Sequence, residues 1–249
     1  MQPEENDPIG AARRLSGPEL PKRFYAEVSL AETDAGWAIR LDGRGARTPA
    51  RNALAVPSRA LAEAMAAEWS AQGERIDPAA MPATRLANTA LDGVAREIQG
   101  VRDGILAFAE SDLLCYRADE PDGLLAEQRR HWDPLVRATE ARLGHRIVLA
   151  EGVMHVPQSA PLIEAVRRAL DRIDDPFRLA GLHILASLTG SAFIALAIAA
   201  GEVEPDEAWE AAHVDEDWNI RQWGEDAEAK LRRERRKRDF DAAVLAVLG

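Results

Sequence analysis

Between residues 23 and 48 the hydrophobic positions alternate. Phe24, Ala26, Val28 and Leu30 are interleaved with Tyr25, Glu27 and Ser29, the period-2 signature of a half-buried strand. Thr33-Asp34-Ala35-Gly36 has turn chemistry, after which Trp37, Ile39 and Leu41 resume the alternation. Asp42-Gly43 marks a second tight turn leading to a short strand near Ala46–Thr48, so a small antiparallel meander is expected. The period then changes. Pro57-Ser58 opens a helix in which Leu61, Met65 and Trp69 recur at i, i+4 and i+8, with Gly73 closing it.

From about Asp92 the pattern is helical throughout. Ile98, Val101, Ile105 and Phe108 form one stripe, and Leu162, Val166, Leu170 and Ile173 another. Asp122 is expected to cap a helix running through Trp132, with Asp133-Pro134 starting the next one. Asp175-Pro176 caps the apolar helix containing Leu182–Ala200, and Pro205 opens an acidic helix. Gly224 should break that helix, leaving Glu225 and Asp226 in the first turn of the last one, the two packing as a corner. Ile147–Val156 reads as a small extended excursion. Met81–Asp92 shows no period and is expected to be an ordered hinge, with a partner site as the other reading. The fold class is therefore α+β. A loose arm over residues 1–21 precedes a small N-terminal αβ domain of meander plus helix over 22–93. A larger, all-helical bundle domain follows over 94–249.

Composition agrees with this division. The chain has 249 residues, 47% of them hydrophobic but only 5% aromatic, which favours packed helices over an all-β sandwich. A single cysteine excludes an intrachain disulfide scaffold. The N-terminal residues are acidic and lack an apolar run, so neither a secretion signal nor a transit peptide is expected, and the chain is read as cytoplasmic. Leu182–Ala200 is long enough to span a bilayer, yet it is alanine-rich and carries His183, Ser187, Thr189 and Ser191. It is read as a buried helix, with no membrane insertion.

Catalytic motifs are absent. There is no phosphate-binding GxxxxGK[ST], and Gly43-Arg44-Gly45 lacks the third glycine and the following helix of a dinucleotide fingerprint. No GxSxG elbow occurs, and the five histidines have no close ligand spacing. His213 and Asp215 could hold a metal with Asp217, but a solvated acidic face accounts for the same residues. Cys115 lies among apolar neighbours and reads as an inert thiol. No enzyme, cofactor or metal is expected.

Charge is unevenly distributed. The net charge is −11, and residues 202–228 alone hold eleven acids against Arg221. Residues 230–249 follow at +4, with seven bases and three acids. The basic run Lys230–Arg238 invites a nucleic-acid reading, the alternative function. But Glu234 interrupts it, acids flank it, and no aromatic residues interleave as stacking platforms. A helix face that pairs internally or is solvated is the plainer reading. Trp209, Trp218 and Trp223 lie inside the most acidic stretch, read as core anchors on an amphipathic helix, or else as interface anchors within a charged rim. Trp69 is assigned to the core or to the interface between domains.

Four blocks in order carry a resemblance. They are Leu41-Asp42-Gly43-Arg44 with Arg47-Thr48-Pro49; Ala67-Glu68-Trp69-Ser70-Ala71-Gln72-Gly73 running on through Met81–Asp92; Ser111–Ala118 with Gln128 and Trp132-Asp133-Pro134-Leu135; and Trp209 through Asp226. Over residues 22 to 243 the chain resembles the ATP12 family, assembly chaperones of the F1 sector of ATP synthase. The resemblance implies a small αβ domain followed by a helical domain. It also implies a function: binding the free F1 α subunit and shielding its β-facing surface until the hexamer assembles. Such a chaperone needs a surface rather than a catalytic constellation. The expected partner-binding residues are Glu216, Asp217, Trp218, Glu225 and Asp226, the acids as its charged part and Trp218 as an anchor. Reversing Glu225 and Asp226 to Lys is expected to weaken binding without changing the thermal melt.

Overall fold

The computed structural model describes residues 20–152 and 156–249. The expected arm therefore falls almost wholly outside the described residues, as does the 153–155 part of the expected excursion.

Strand β1 (Val28–Thr33) pairs antiparallel with β2 (Gly36–Leu41) in a register that sets Thr33 opposite Gly36. Gly36 has φ +101°, and a Cβ there would lie 2.3 Å from the Val56 carbonyl oxygen, so the turn and the neighbouring strand both require glycine. On the other edge of β2 sit β3 (Arg44–Gly45) and β4 (Ala55–Val56). The third strand of the meander thus lies two residues earlier than its expected start at Ala46. The alternation also fails at the first strand's leading end: order as a strand begins at Val28, Tyr25 is buried and Phe24 is exposed. Tyr25 is drawn inward because its hydroxyl donates to the Trp69 carbonyl at 2.6 Å and its ring packs edge-on against Trp69.

Helix α1 (Arg59–Ser70) starts as expected. Ser58 is its N-cap, accepting the Leu61 N–H, and Leu61 and Met65 are fully buried against the sheet. Met81–Asp92, where the sequence shows no period, forms α2 (Pro82–Asp92). Its N-terminus has no local side-chain cap, and the Glu68 carboxylate takes that role from α1. Glu68 accepts the backbone N–H groups of Ala83 at 2.6 Å and Thr84 at 2.8 Å, and the Thr84 hydroxyl at 2.7 Å. α2 buries Ala83, Leu86, Ala87 and Ala90 and packs on α1 and on the later helices.

The remaining helices are α3 (Ile98–Glu110), α4 (Asp122–Leu143), α5 (Ala160–Leu170), α6 (Pro176–Thr189), α7 (Ala192–Ala199), α8 (Pro205–Ala212), α9 (Val214–Trp223) and α10 (Ala227–Leu248). Tyr116–Arg117 and Ala150–Glu151 add β5 and β6, a short parallel pair. The fold is α+β, a small antiparallel sheet with a helix followed by a helical assembly.

Three expected boundaries differ. α4 runs through Pro134 without restarting. An interior proline costs about 3 kcal/mol, but both flanks are pinned. Trp132 is buried and donates its indole N–H to the Ala211 carbonyl at 2.7 Å, Asp133 pairs with Arg117 at 3.0 Å, and Leu135 and Val136 are buried. The apolar stretch Leu182–Ala200 is two helices rather than one. Gly190, at φ +69°, ends α6, and Ser191 caps α7 by accepting the Ile194 N–H. Among the described residues no helix is long and apolar enough to cross a membrane. The acidic helix is likewise split, at His213.

Asp112 ties these helices together from inside the core. It is fully buried and accepts the backbone N–H groups of Leu114 at 3.1 Å and Phe193 at 3.0 Å. Burial outweighs these donors and pushes its pKa up to about 7. α10 closes the assembly, burying Phe240, Ala243 and Val247 and crossing α6 at Gly181, where a Cβ would lie 2.8 Å from Val247 Cγ2 and 2.9 Å from the Ala243 carbonyl oxygen.

Candidate functional site

The corner between α9 and α10 is built on Gly224, whose φ of +89° and ψ of 166° suit only glycine. Its N–H closes α9 on the Ile220 carbonyl at 2.9 Å, and the chain turns directly into α10. Asp226 is the N-cap of α10, accepting the Ala229 N–H at 2.8 Å, and Glu225 pairs with Lys230 at 3.1 Å. Glu225 thus stands just outside the helix and Asp226 at its boundary, rather than in its first turn.

Beneath the corner the packing is aromatic. Trp209 is buried, with its ring 3.9 Å from His213 and 5.1 Å from Phe240, centroid to centroid. His213 Nδ1 lies 2.7 Å from the Trp209 carbonyl and must donate to it, because a carbonyl only accepts. Burial holds the His213 pKa below the usual imidazole range, so the ring is neutral at pH 7.

The structure places the five expected site residues differently from one another. Arg233 on α10 forms an ion pair with Asp217 and feels the charges of Glu216 and Glu225, which together hold its pKa above the usual guanidinium value. Asp217 is therefore paired with Arg233, while Glu225 has Lys230 as its ion-pair partner. Asp226 is occupied by its capping role. Trp218 is half-buried against the start of α4: a Cβ on Gly123 would meet Trp218 Cη2 at 2.4 Å. Its outer face carries Arg221, whose guanidinium lies 5.6 Å from the ring centroid.

The tryptophan that projects is Trp223, 87% exposed at the end of α9, and Leu231 is 53% exposed on α10. The core reading of the tryptophans holds for Trp209 and fails for Trp223. That glycine immediately follows Trp223 is the sequence feature that could have separated them, since a residue at a helix end can point off the packed face.

The other candidates have settled partners. Asp215 accepts from Gln128 Nε2 at 2.8 Å, so His213, Asp215 and Asp217 serve three different neighbours, and the described residues contain no group of three metal ligands. In the basic run, Lys230 pairs with Glu225, Arg232 with Glu228 and Lys237 with Asp206 and Asp241, while Arg236 donates to the Leu188 carbonyl. These bases are paired with groups of the same chain. Cys115 is buried, which raises its thiol pKa far above the range of a reactive thiolate.

Known proteins share this architecture. A family profile described as ATP12 chaperone protein matches residues 22–140. A candidate chaperone from Agrobacterium tumefaciens is 48% identical with a TM-score of 0.85, over 98% of this chain and 91% of that one. The crystal structure of Atp12 from Paracoccus denitrificans is 35% identical with a TM-score of 0.81, over 92% and 99% of the two chains. An aspartate-to-lysine variant of the Paracoccus protein is similar at 36% identity and a TM-score of 0.80, over 92% and 97%.

Proposed function

This chain belongs to the ATP12 chaperone family, and from that premise we propose that it holds the free α subunit of the F1 sector of ATP synthase in the cytoplasm. It shields the surface that β later covers and releases α during hexamer assembly. It acts by binding, without turnover. The observation that carries this reading is the exposed Trp223 at the end of α9, with Leu231 also exposed on α10 and Glu216, Asp217, Glu225 and Asp226 on the same two helices and the turn between them. A large aromatic left in water costs solubility unless something covers it, and an aromatic anchor inside a charged rim is the arrangement of an interface hot spot. The acids speed encounter with a basic surface and keep the complex exchangeable, because exposed charges affect association rate more than residence. Trp218 supports the anchor from beneath by fixing α9 on α4.

The structure also refines the test. Asp226→Lys removes a helix cap and costs about 0.5–2 kcal/mol, so the double reversal with Glu225 does not leave the melt intact. Trp223→Ala, Glu225→Lys and Asp226→Asn separate binding from folding. The protein is co-expressed with the F1 α subunit alone, with β alone as control, and analysed by gel filtration. The wild type should co-elute with soluble α and not with β. Trp223→Ala should lose α while melting like the wild type, since substitutions at exposed sites stay within about 0.5 kcal/mol. Precipitation of α beside the wild type refutes the reading. Full retention of α by Trp223→Ala removes the corner from it.

A further inference from the structure

A second surface lies in the N-terminal part of the chain, far in sequence from the acidic corner and opposite in charge. A groove of about 620 Å³ opens between the segment before β1, the β2–β3 turn and the end of α1. One wall is aromatic. Phe24, Tyr25 and Trp69 step along it edge to face, with centroids 5.4 and 5.5 Å apart. Phe24 is 71% exposed, a phenylalanine left in water with only one face covered. Leu41 contributes apolar surface, and Arg44 and Arg47 also line the groove.

The charge of this groove is one-sided. Its single carboxylate, Asp42, accepts the backbone N–H groups of Ala26 at 3.0 Å and Glu27 at 2.8 Å on Oδ1, which hold its pKa below the ordinary carboxylate value, and it stands against the two guanidinium groups of Arg44 and Arg47. Arg47 spends one N–H on the Arg51 carbonyl at 2.9 Å and keeps the rest of its donors. Arg44 projects from a two-residue strand, both of whose residues are exposed. A β-carbon on the neighbouring Gly45 would meet nothing within 4 Å, so the approach beside Arg44 is open among the described residues. The groove therefore offers aromatic faces and two guanidinium groups against one carboxylate.

We infer that this groove binds an acidic, aromatic-bearing peptide segment of a partner protein, through Phe24 and Trp69 for the ring and Arg44 and Arg47 for the carboxylates. Guanidinium forks match carboxylates bidentately, and an aromatic wall takes an apolar side chain at low entropic cost. A nucleotide fits less well: the lining has no glycine-rich phosphate loop.

The test uses the full chain and no ATP synthase subunit, so its outcome is independent of the function proposed above. The probe is a fluorescein-labelled peptide of three Glu-Phe-Asp-Gly repeats, with a counterpart in which lysine replaces every acid. Because the protein carries a net charge of −11, general electrostatics oppose the acidic peptide, and its binding has to come from a local basic site. Fluorescence anisotropy should report saturable binding of the acidic peptide. Arg44→Glu with Arg47→Glu should weaken it at least about tenfold and Phe24→Ala several-fold, with thermal melts unchanged because all three side chains are exposed. On titration the Trp69 indole signal in a ¹⁵N–¹H spectrum should move and that of Trp223 should not. The inference falls if the wild type does not bind at about millimolar peptide, or if the arginine reversals leave binding undiminished. It also falls if Mg-ATP, and not the acidic peptide, binds in a way that depends on Arg44 and Arg47.

Discussion

Removing the Glu68 carboxylate tests whether a side chain of α1 holds the start of α2. Two backbone N–H groups at the N-terminus of α2, those of Ala83 and Thr84, have Glu68 as their acceptor, and the Thr84 hydroxyl is a third donor to it. Thr84 is buried, so water does not readily replace the lost partner. At about 1 kcal/mol for each orphaned backbone donor and a similar amount for the hydroxyl, Glu68→Ala should cost about 3 kcal/mol. A chain of this size loses about 2–4 °C of Tm per kcal/mol, giving an expected fall of about 6–12 °C. Glu68→Gln keeps one acceptor oxygen and should lose about half as much. The assay is thermal unfolding followed by circular dichroism at neutral pH, with urea unfolding as a second measure. A Glu68→Ala protein melting within about 1 °C of the wild type would refute the reasoning. Burial raises the Glu68 pKa even against its three donors, so the folded protein keeps that proton to a higher pH than the unfolded chain does. Its titration therefore lowers stability as pH rises from the ordinary carboxylate value through the shifted one, and Glu68→Gln should remove that part of the slope.

Asp112 makes a larger statement of the same kind. With a folded pKa of about 7 against an ordinary 3.8, its contribution is most favourable below pH 3.8 and is lost as pH rises to about 7. That amounts to at most about 4 kcal/mol. Asp112→Asn should flatten the stability profile between these limits in urea unfolding across pH, and an unchanged slope would show that the carboxylate is already ionised in the fold. Gly181→Ala should force α10 away from α6, because the added carbon meets Val247 and the Ala243 backbone. Overpacking of this type costs about 1–3 kcal/mol, and a melt equal to or above that of the wild type would contradict the close crossing.

Much of the architecture was legible because its signals are local. The β2 strand from Gly36 to Leu41, the Ser58 and Asp175 caps, Pro176 and Pro205 at helix starts and Gly224 as a breaker are each set by the residues at the spot. What escaped depends on distant partners. α2 buries one large apolar side chain, Leu86, among the small Ala83, Thr84, Ala87 and Ala90, and its capping acid comes from α1. Pro134 breaks a helix in isolation but not one pinned on both sides by Trp132, Asp133 and Leu135. At the corner, the cluster of acids was legible while their tasks were not. Asp226 caps, Asp217 and Glu225 engage bases of α10, and Trp218 faces α4, all of which needs the helices in place. The basic groove was invisible for the same reason, since Phe24, Arg44 and Trp69 meet only when α1 lies beside the sheet.

The helix α10 is synthesised well after the helix that it covers. α6 and α7 are complete once Ala199 has been synthesised, yet the residues that cover α6 at Gly181 are Ala243 and Val247. At about 5–20 residues per second, the ribosome takes several seconds to travel from Thr189 to Val247. During that interval the apolar face of α6 at Gly181 lacks the residues of α10 that cover it. A protein of a chaperone family thus passes through a stage in which it is itself an aggregation-prone client. Translational pausing before α10 should lower its soluble yield more than pausing after it.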